Sequence, residues 1–222
     1  MDTIIKFINE HKHFLYLLIL IPLLICFSFC QRFLKPKYIM YCSLDNYIPF
    51  LKIFILAYMF WFIYMGISFV YFGLKSRDDF MNLAKFLFLG MGISYIIFVT
   101  LPSGQNLRPV LKENDILTKM VGFIYSIDPP TNVCPSIHVI NSIGVNAVVW
   151  NSSLFANNKR IKISSAVAMT LICLSTLFIK QHSLLDVIAG IGLSSVLYTF
   201  IYTIPGVRKK TEEVADNLNK EV

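Results

Sequence analysis

Six apolar runs, separated by short polar segments, constrain this chain more than any other feature. They are Phe14 to Cys30, Ile53 to Leu74, Phe80 to Leu101, Ser136 to Trp150, Ile163 to Ile179 and His182 to Ile204. A helix needs about 20 predominantly apolar residues to cross the hydrocarbon of a bilayer. Composition agrees: 56% of the 222 residues are apolar and only 15% are charged, with a mean hydropathy of +0.64. A soluble domain carries more charge than this. The expectation is an all-α polytopic membrane protein with six transmembrane helices, forming a single domain over residues 1–222.

The segments between the runs refine this expectation. Met1 to His13 reads as a short amphipathic lead-in. The first run contains Pro22, which a membrane helix tolerates. It lacks a small-x-small cleavage site and is followed by Gln31-Arg32-Phe33-Leu34, so it reads as a helix rather than a cleaved signal peptide. A loop rich in Lys, Tyr and Pro leads to the second run, and Ser76-Arg77-Asp78-Asp79 makes a polar turn before the third. Gly90 and Gly92 in the third run, and Ala189, Gly190 and Gly192 in the sixth, allow close helix packing. The longest connection, Pro102 to Pro135, is more than a linker. Leu117, Met120, Val121, Ile124 and Ile127 recur at helical spacing among Lys112, Glu113, Asp115 and Lys119. That pattern predicts an interfacial helix between the third and fourth spans. Asp128-Pro129-Pro130-Thr131-Asn132 then breaks it. Pro205-Gly206 ends the last run, and a charged tail follows from Arg208 to Val222.

The net charge of +7 raises the question of nucleic acid. The charges lie mostly in short loops between apolar runs, where membrane topology explains them better, and no basic stripe with exposed aromatics occurs. With six spans, one side holds Lys6, Lys12, Lys75, Arg77, Lys85, Lys159, Arg160, Lys162, Arg208, Lys209, Lys210 and Lys220. The other holds Arg32, Lys35, Lys37, Lys52, Arg108, Lys112, Lys119 and Lys180. Twelve against eight puts both termini in the cytoplasm. The five Cys form no C-x-x-C pair; Cys26, Cys30 and Cys173 fall in apolar runs as packing residues. Cys42 and Cys134 share one side, so a disulfide between them is conceivable. His11 and His13 lack partners at ligand spacing, and no metal site is expected.

Three polar clusters fall on the side opposite the termini. In Lys180-Gln181-His182-Ser183-Leu184-Leu185-Asp186, His182 and Asp186 are four residues apart and share a face if this is a first helical turn. A carboxylate there can hold one imidazole nitrogen and leave the other as base or nucleophile; a structural helix-end contact is the plain alternative. In Cys134-Pro135-Ser136-Ile137-His138, Ser136 is a natural N-cap and free N–H groups nearby can bind an anion. His138 lies in that first turn, as a site residue or an interface histidine. The third cluster is Gln105-Asn106-Leu107-Arg108-Pro109. A guanidinium grips phosphate oxygens well, and equally snorkels to lipid headgroups. Lys180 either contacts phosphate or marks the membrane boundary. Together these residues describe two imidazoles, one oriented by a carboxylate, around an oxyanion pocket.

Arg108-Pro109, Pro135-Ser136-Ile137-His138 and Ser175-Thr176-x5-His182-x3-Asp186 together resemble the signature of the type-two phosphatidic acid phosphatase superfamily of membrane lipid phosphatases. The family pattern is Lys-x6-Arg-Pro, Pro-Ser-Gly-His and Ser-Arg-x5-His-x3-Asp. Leu101, Ile137 and Thr176 stand where that pattern has Lys, Gly and Arg. The resemblance covers residues 101–190, and Pro-Ser-Ile-His is similar to the branch that includes inositol phosphorylceramide synthases. It implies a metal-independent lipid phosphate phosphatase without cofactor, in which His182 attacks phosphorus, Asp186 fixes its tautomer, and His138 protonates the leaving oxygen. Arg108, Ser136, Lys180, Gln105 and Asn106 then serve as phosphate-binding groups. The alternatives are a headgroup phosphotransferase on the same triad and a non-catalytic protein that keeps the fold. The expected partners are a lipid phosphate and the bilayer, with no nucleic acid. The expected site is the cytoplasmic membrane of a bacterium (Lys-, Ile- and Asn-rich usage points to an AT-rich genome), with the active site on the outer face. Neither the lipid nor the oligomeric state is legible.

Overall fold

In the computed structural model, which describes residues 11–205, capping side chains mark the start of four of the helices. The lead-in before His11 and the charged tail from Arg208 lie outside the described residues. Seven α-helices follow a 3₁₀ segment, Lys12–Ile19: α1 Leu20–Phe33, α2 Ile55–Lys75, α3 Arg77–Thr100, α4 Ile116–Ile127, α5 Ile137–Asn151, α6 Lys159–Phe178 and α7 Leu184–Tyr198. The extended backbone of Ser76 ends α2, and its hydroxyl accepts the Asp79 N–H to start α3. Asp78 and Asp79 place negative charge in that first turn, where the helix dipole favours it. Asp115 caps α4 through the N–H groups of Leu117 and Thr118. Asn158 caps α6, and Ser183 and Asp186 form a reciprocal capping box on α7.

Among the described residues the structure is helical apart from a two-residue parallel pairing of Tyr38–Ile39 with Ser103–Gly104. Among the described residues, five helical stretches are long and apolar enough to cross a membrane: Lys12–Phe33, Lys52–Lys75, Arg77–Thr100, Lys159–Phe178 and Leu184–Thr203. The fourth apolar run differs. It forms α5, only 15 residues long, which at about 1.5 Å per residue falls short of the hydrocarbon thickness. Its ends are set by Pro135 before it and by Ser152, whose hydroxyl bonds Asp79 across the bundle. In exchange α5 is the most enclosed helix, with nine of its residues buried.

Around α5 pack α3, α6 and α7. Gly144 of α5 lets the side chains of Phe86 and Leu87 reach its backbone, since a Cβ there would lie 2.7 Å from each. Gly190 of α7 lies under the Ser136 carbonyl, 3.1 Å from where its Cβ would be. Gly92 and Gly192 have no neighbour within 4 Å and so do not mediate packing. The outer faces of α1 and α2 carry exposed Leu, Ile and Phe side chains throughout, as surfaces in contact with lipid do. The long connection returns across one end of the bundle. Ser103 accepts the Asn132 N–H, and α4 packs Val121 and Ile124 onto Ile55, Tyr58 and Ile179. These ties bring the residues before α4, after α4 and before α7 to one place.

Candidate active site

The turn from α6 to α7 presents His182. The N–H groups of Gln181 and His182 both donate to the Thr176 carbonyl, at 2.9 and 3.0 Å, closing the end of α6. Lys180 takes a left-handed conformation in that turn, with φ 56°, as residues just beyond a helix end do. Helix α7 begins at Leu184 rather than at His182, so His182 precedes the N-cap instead of lying in the first turn. The expected pairing nevertheless forms. Nδ1 of His182 lies 3.3 Å from Oδ2 of Asp186, and the same oxygen accepts the Ser183 N–H at 2.8 Å. Asp186 is fully buried.

His138 projects from the first turn of α5. Its ring centroid is 5.9 Å from that of His182, edge to face, and 4.6 Å from both Tyr58 and Trp61. The two imidazoles border a cavity of about 250 Å³. At the histidine end it is polar, with Asp128, Asn132, Asn141 and Gln181; toward α1 and α3 it is apolar, with Leu24, Phe27, Met91, Tyr95 and Phe98. Several polar atoms on this wall have no protein partner, among them Asn132 Oδ1, Asn141 Oδ1 and Trp61 Nε1. Buried polar groups left unpaired are costly, so such a wall favours a ligand or water that pairs with them.

The expected phosphate-binding groups divide. Ser136 precedes α5 as anticipated, and its N–H donates to the Asp186 carbonyl, but its buried hydroxyl caps nothing and has no partner. Arg108 lies next to the cavity wall. Its guanidinium donates to the carbonyls of Tyr125 and Asp128 and to Gln181 Oε1, and it stacks 4.3 Å over the Tyr125 ring. Burial pulls its pKa below the ordinary value, with Asp128 opposing. Lys180 is turned away: its ammonium donates to the carbonyls of Asp45 and Ile48, because the left-handed turn aims its stem at that loop. Gln105 is buried and braces the turn, donating to the Lys180 carbonyl at 2.9 Å. Asn106 is exposed. Lys180, Gln105 and Asn106, expected to bind phosphate, are not among the residues that line the cavity, and the first two brace the turn and the loop beside it. Of the two positions where the expected pattern has a cation, Leu101 is exposed and Thr176 is buried, its hydroxyl donating to the Cys173 carbonyl of its own helix. Cys42 and Cys134 are unpaired, and burial with Asp186 nearby pushes the Cys134 thiol up to about 12.

Asp128 is the principal residue that sequence reasoning missed as a site residue. Its carboxylate accepts from Gln31 and Gln181 at 2.8 and 2.7 Å and from the Tyr58 hydroxyl at 3.1 Å. Tyr58 in turn flanks His138, so a carboxylate joins the histidine wall through one phenol. In sequence it reads as a helix breaker before two prolines. Comparison with protein-family models, curated proteins and solved structures finds no match to this chain.

Proposed function

We propose that this chain is an integral membrane lipid phosphate phosphatase working through a phosphohistidine. One observation carries the reading: two imidazoles meet edge to face at 5.9 Å at the polar end of an otherwise apolar cavity, one of them bound to a buried carboxylate. The Nε2 lone pair of His182 attacks phosphorus and the bond to the lipid oxygen breaks. His138 gives its proton to that oxygen. His138 then takes a proton from water, whose oxygen displaces His182 and releases inorganic phosphate. Asp186 holds the Nδ1 proton and stabilises the imidazolium. The lipid chain occupies the apolar end of the cavity, reached from the bilayer between helices. In this reading α5 counts as a sixth, short span, α4 lies along the interface, both termini are cytoplasmic, and the site faces outward from a bacterial cytoplasmic membrane. The three partial motifs support placement in the type-two phosphatidic acid phosphatase superfamily. Phosphate release from a panel of lipid phosphates by purified protein, with His182 intact and replaced, tests the reading.

A second reading, transfer of a phosphorylated headgroup to a lipid alcohol, has its own support. Neither Arg108 nor Lys180 lines the cavity, whereas the Asp128 carboxylate and two unpartnered Asn carbonyls do. Such a wall repels a doubly charged phosphomonoester more than a singly charged phosphodiester. It also offers acceptors to an alcohol hydroxyl. Supplying an alcohol and looking for a new phosphodiester separates the two readings.

A further inference from the structure

The loop between α1 and α2 carries a buried carboxylate that neither reaction above uses. Asp45 is 2% exposed. Its Oδ2 accepts the Ser183 hydroxyl at 2.7 Å and the Cys42 N–H at 2.8 Å; its Oδ1 accepts the Leu184 N–H at 2.8 Å. Its own carbonyl accepts the Lys180 ammonium at 2.9 Å, and the Ile48 carbonyl takes a second bond from that ammonium. His182 is thus bracketed. The residue two before it and the two after it are all fastened to residues 42–48, although the loop and the turn lie more than 130 positions apart in sequence.

A buried carboxylate is tolerated only when it is well hydrogen-bonded. Burial works to raise the pKa of Asp45, but the bonds from Ser183, Leu184 and Cys42 prevail and hold it below the usual value. The charged groups beside it are Lys180 on its carbonyl and Asp186 across Ser183, with the imidazole of His182 beyond. Asp45 also meets the free N–H end of α7, which favours a negative charge. The consequence for His182 runs through Ser183. The Ser183 N–H donates to Asp186 Oδ2, the oxygen that faces His182 Nδ1. Where Ser183 sits therefore sets where that oxygen can be, and Asp45 is what fixes the Ser183 side chain from outside its own helix.

We propose that Asp45 is a positioning residue for His182, holding the α6–α7 turn so that Asp186 keeps the ring in one tautomer with Nε2 free. This rests on the reading of His182 as the nucleophile, and its test has one arm that needs no turnover. In the full chain, D45N lowers kcat about 100-fold, the loss typical of a misplaced reacting group, while KM stays within roughly twofold because the cavity is untouched. D45E, which keeps the charge, recovers part of the loss. The ¹⁵N spectrum of histidine-labelled protein, with the His182 signals assigned through H182Q, reports a fixed Nδ1–H tautomer in the wild type and a mixture in D45N. Should D45N fail to fold, S183A, which removes the hydroxyl bond to Asp45 together with that hydroxyl's cap on the Leu185 N–H, carries the same two measurements. Wild-type kcat in a folded D45N or S183A protein, or an unchanged His182 tautomer, overturns the proposal. If the wild type releases no phosphate from any lipid, that counts only against the phosphatase reading and the tautomer arm alone decides: a shift in D45N upholds the positioning and no shift overturns it.

Discussion

The Ser136 N–H donates to the carbonyl of Asp186 at 3.1 Å, joining the start of α5 to the first turn of α7. Through this one bond the segment that bears His138 and the segment that bears His182 are held in mutual register. It exists because Gly190, one turn further along α7, has no side chain to keep the Ser136 carbonyl away.

Replacing Gly190 therefore damages the site from behind. A branched side chain in G190V meets a backbone carbonyl and Val139, neither of which can swing aside. Overpacking of this kind costs about 1–3 kcal/mol. Thermal unfolding in detergent should register the loss, together with reduced turnover. G192A, where nothing lies within 4 Å, should unfold within about 0.5 kcal/mol of wild type.

His138→Ala should lower phosphate release by about 100- to 10,000-fold, the usual contribution of a general acid–base group. His182→Ala should abolish it, since no other group in the cavity offers a nucleophile paired to an acid. Turnover at wild-type rate in H182A would exclude His182 as the nucleophile.

Asp128 has opposite consequences under the two readings. As a carboxylate on the wall of a phosphatase cavity it repels a phosphomonoester dianion, so D128N should lower KM for such a lipid. In a transferase that uses it to orient an alcohol, D128N should instead depress transfer while leaving any hydrolysis. Steady-state kinetics with and without an added alcohol distinguish these outcomes. The step through His182 needs no metal, so turnover should persist in EDTA.

Stability should fall in acid through Asp45. Its pKa in the folded protein lies below the unfolded value of 3.8, so it binds fewer protons folded than unfolded. The stabilisation is present above pH 3.8 and is lost as pH falls through the folded value. Unfolding temperatures between pH 6 and pH 3 (roughly the carboxylate range) should drop less for D45N than for wild type.

Much of this was legible from residue order. The apolar runs gave the helices, whereas the caps Ser76, Asp115 and Ser183 were not singled out, and the hydroxyl of Ser136, the one N-cap read from the sequence, caps nothing. His138, His182 and Asp186 stood out because ionisable groups are rare at the ends of apolar runs. The length of α5 did not, since a helix enclosed by its neighbours and one that faces lipid are equally apolar. Nor did the positions of Asp128, Asp45 and Lys180. Asp128 lies beside two prolines and reads as a turn; its bonds to Gln31, Tyr58 and Gln181 come from three separate elements. Lys180 looked like a phosphate ligand because sequence shows its charge, whereas its direction depends on a left-handed backbone and on a loop far upstream.

The most direct test of the mechanism is to trap the intermediate. Wild-type protein is mixed with a ³²P-labelled lipid phosphate, quenched rapidly in alkali before the second half-reaction completes, and mapped by mass spectrometry. The mechanism predicts acid-labile, alkali-stable phosphate on Nε2 of His182, because Nδ1 is committed to Asp186. Label on any other residue, or turnover by the wild type with His182 never phosphorylated, would contradict it.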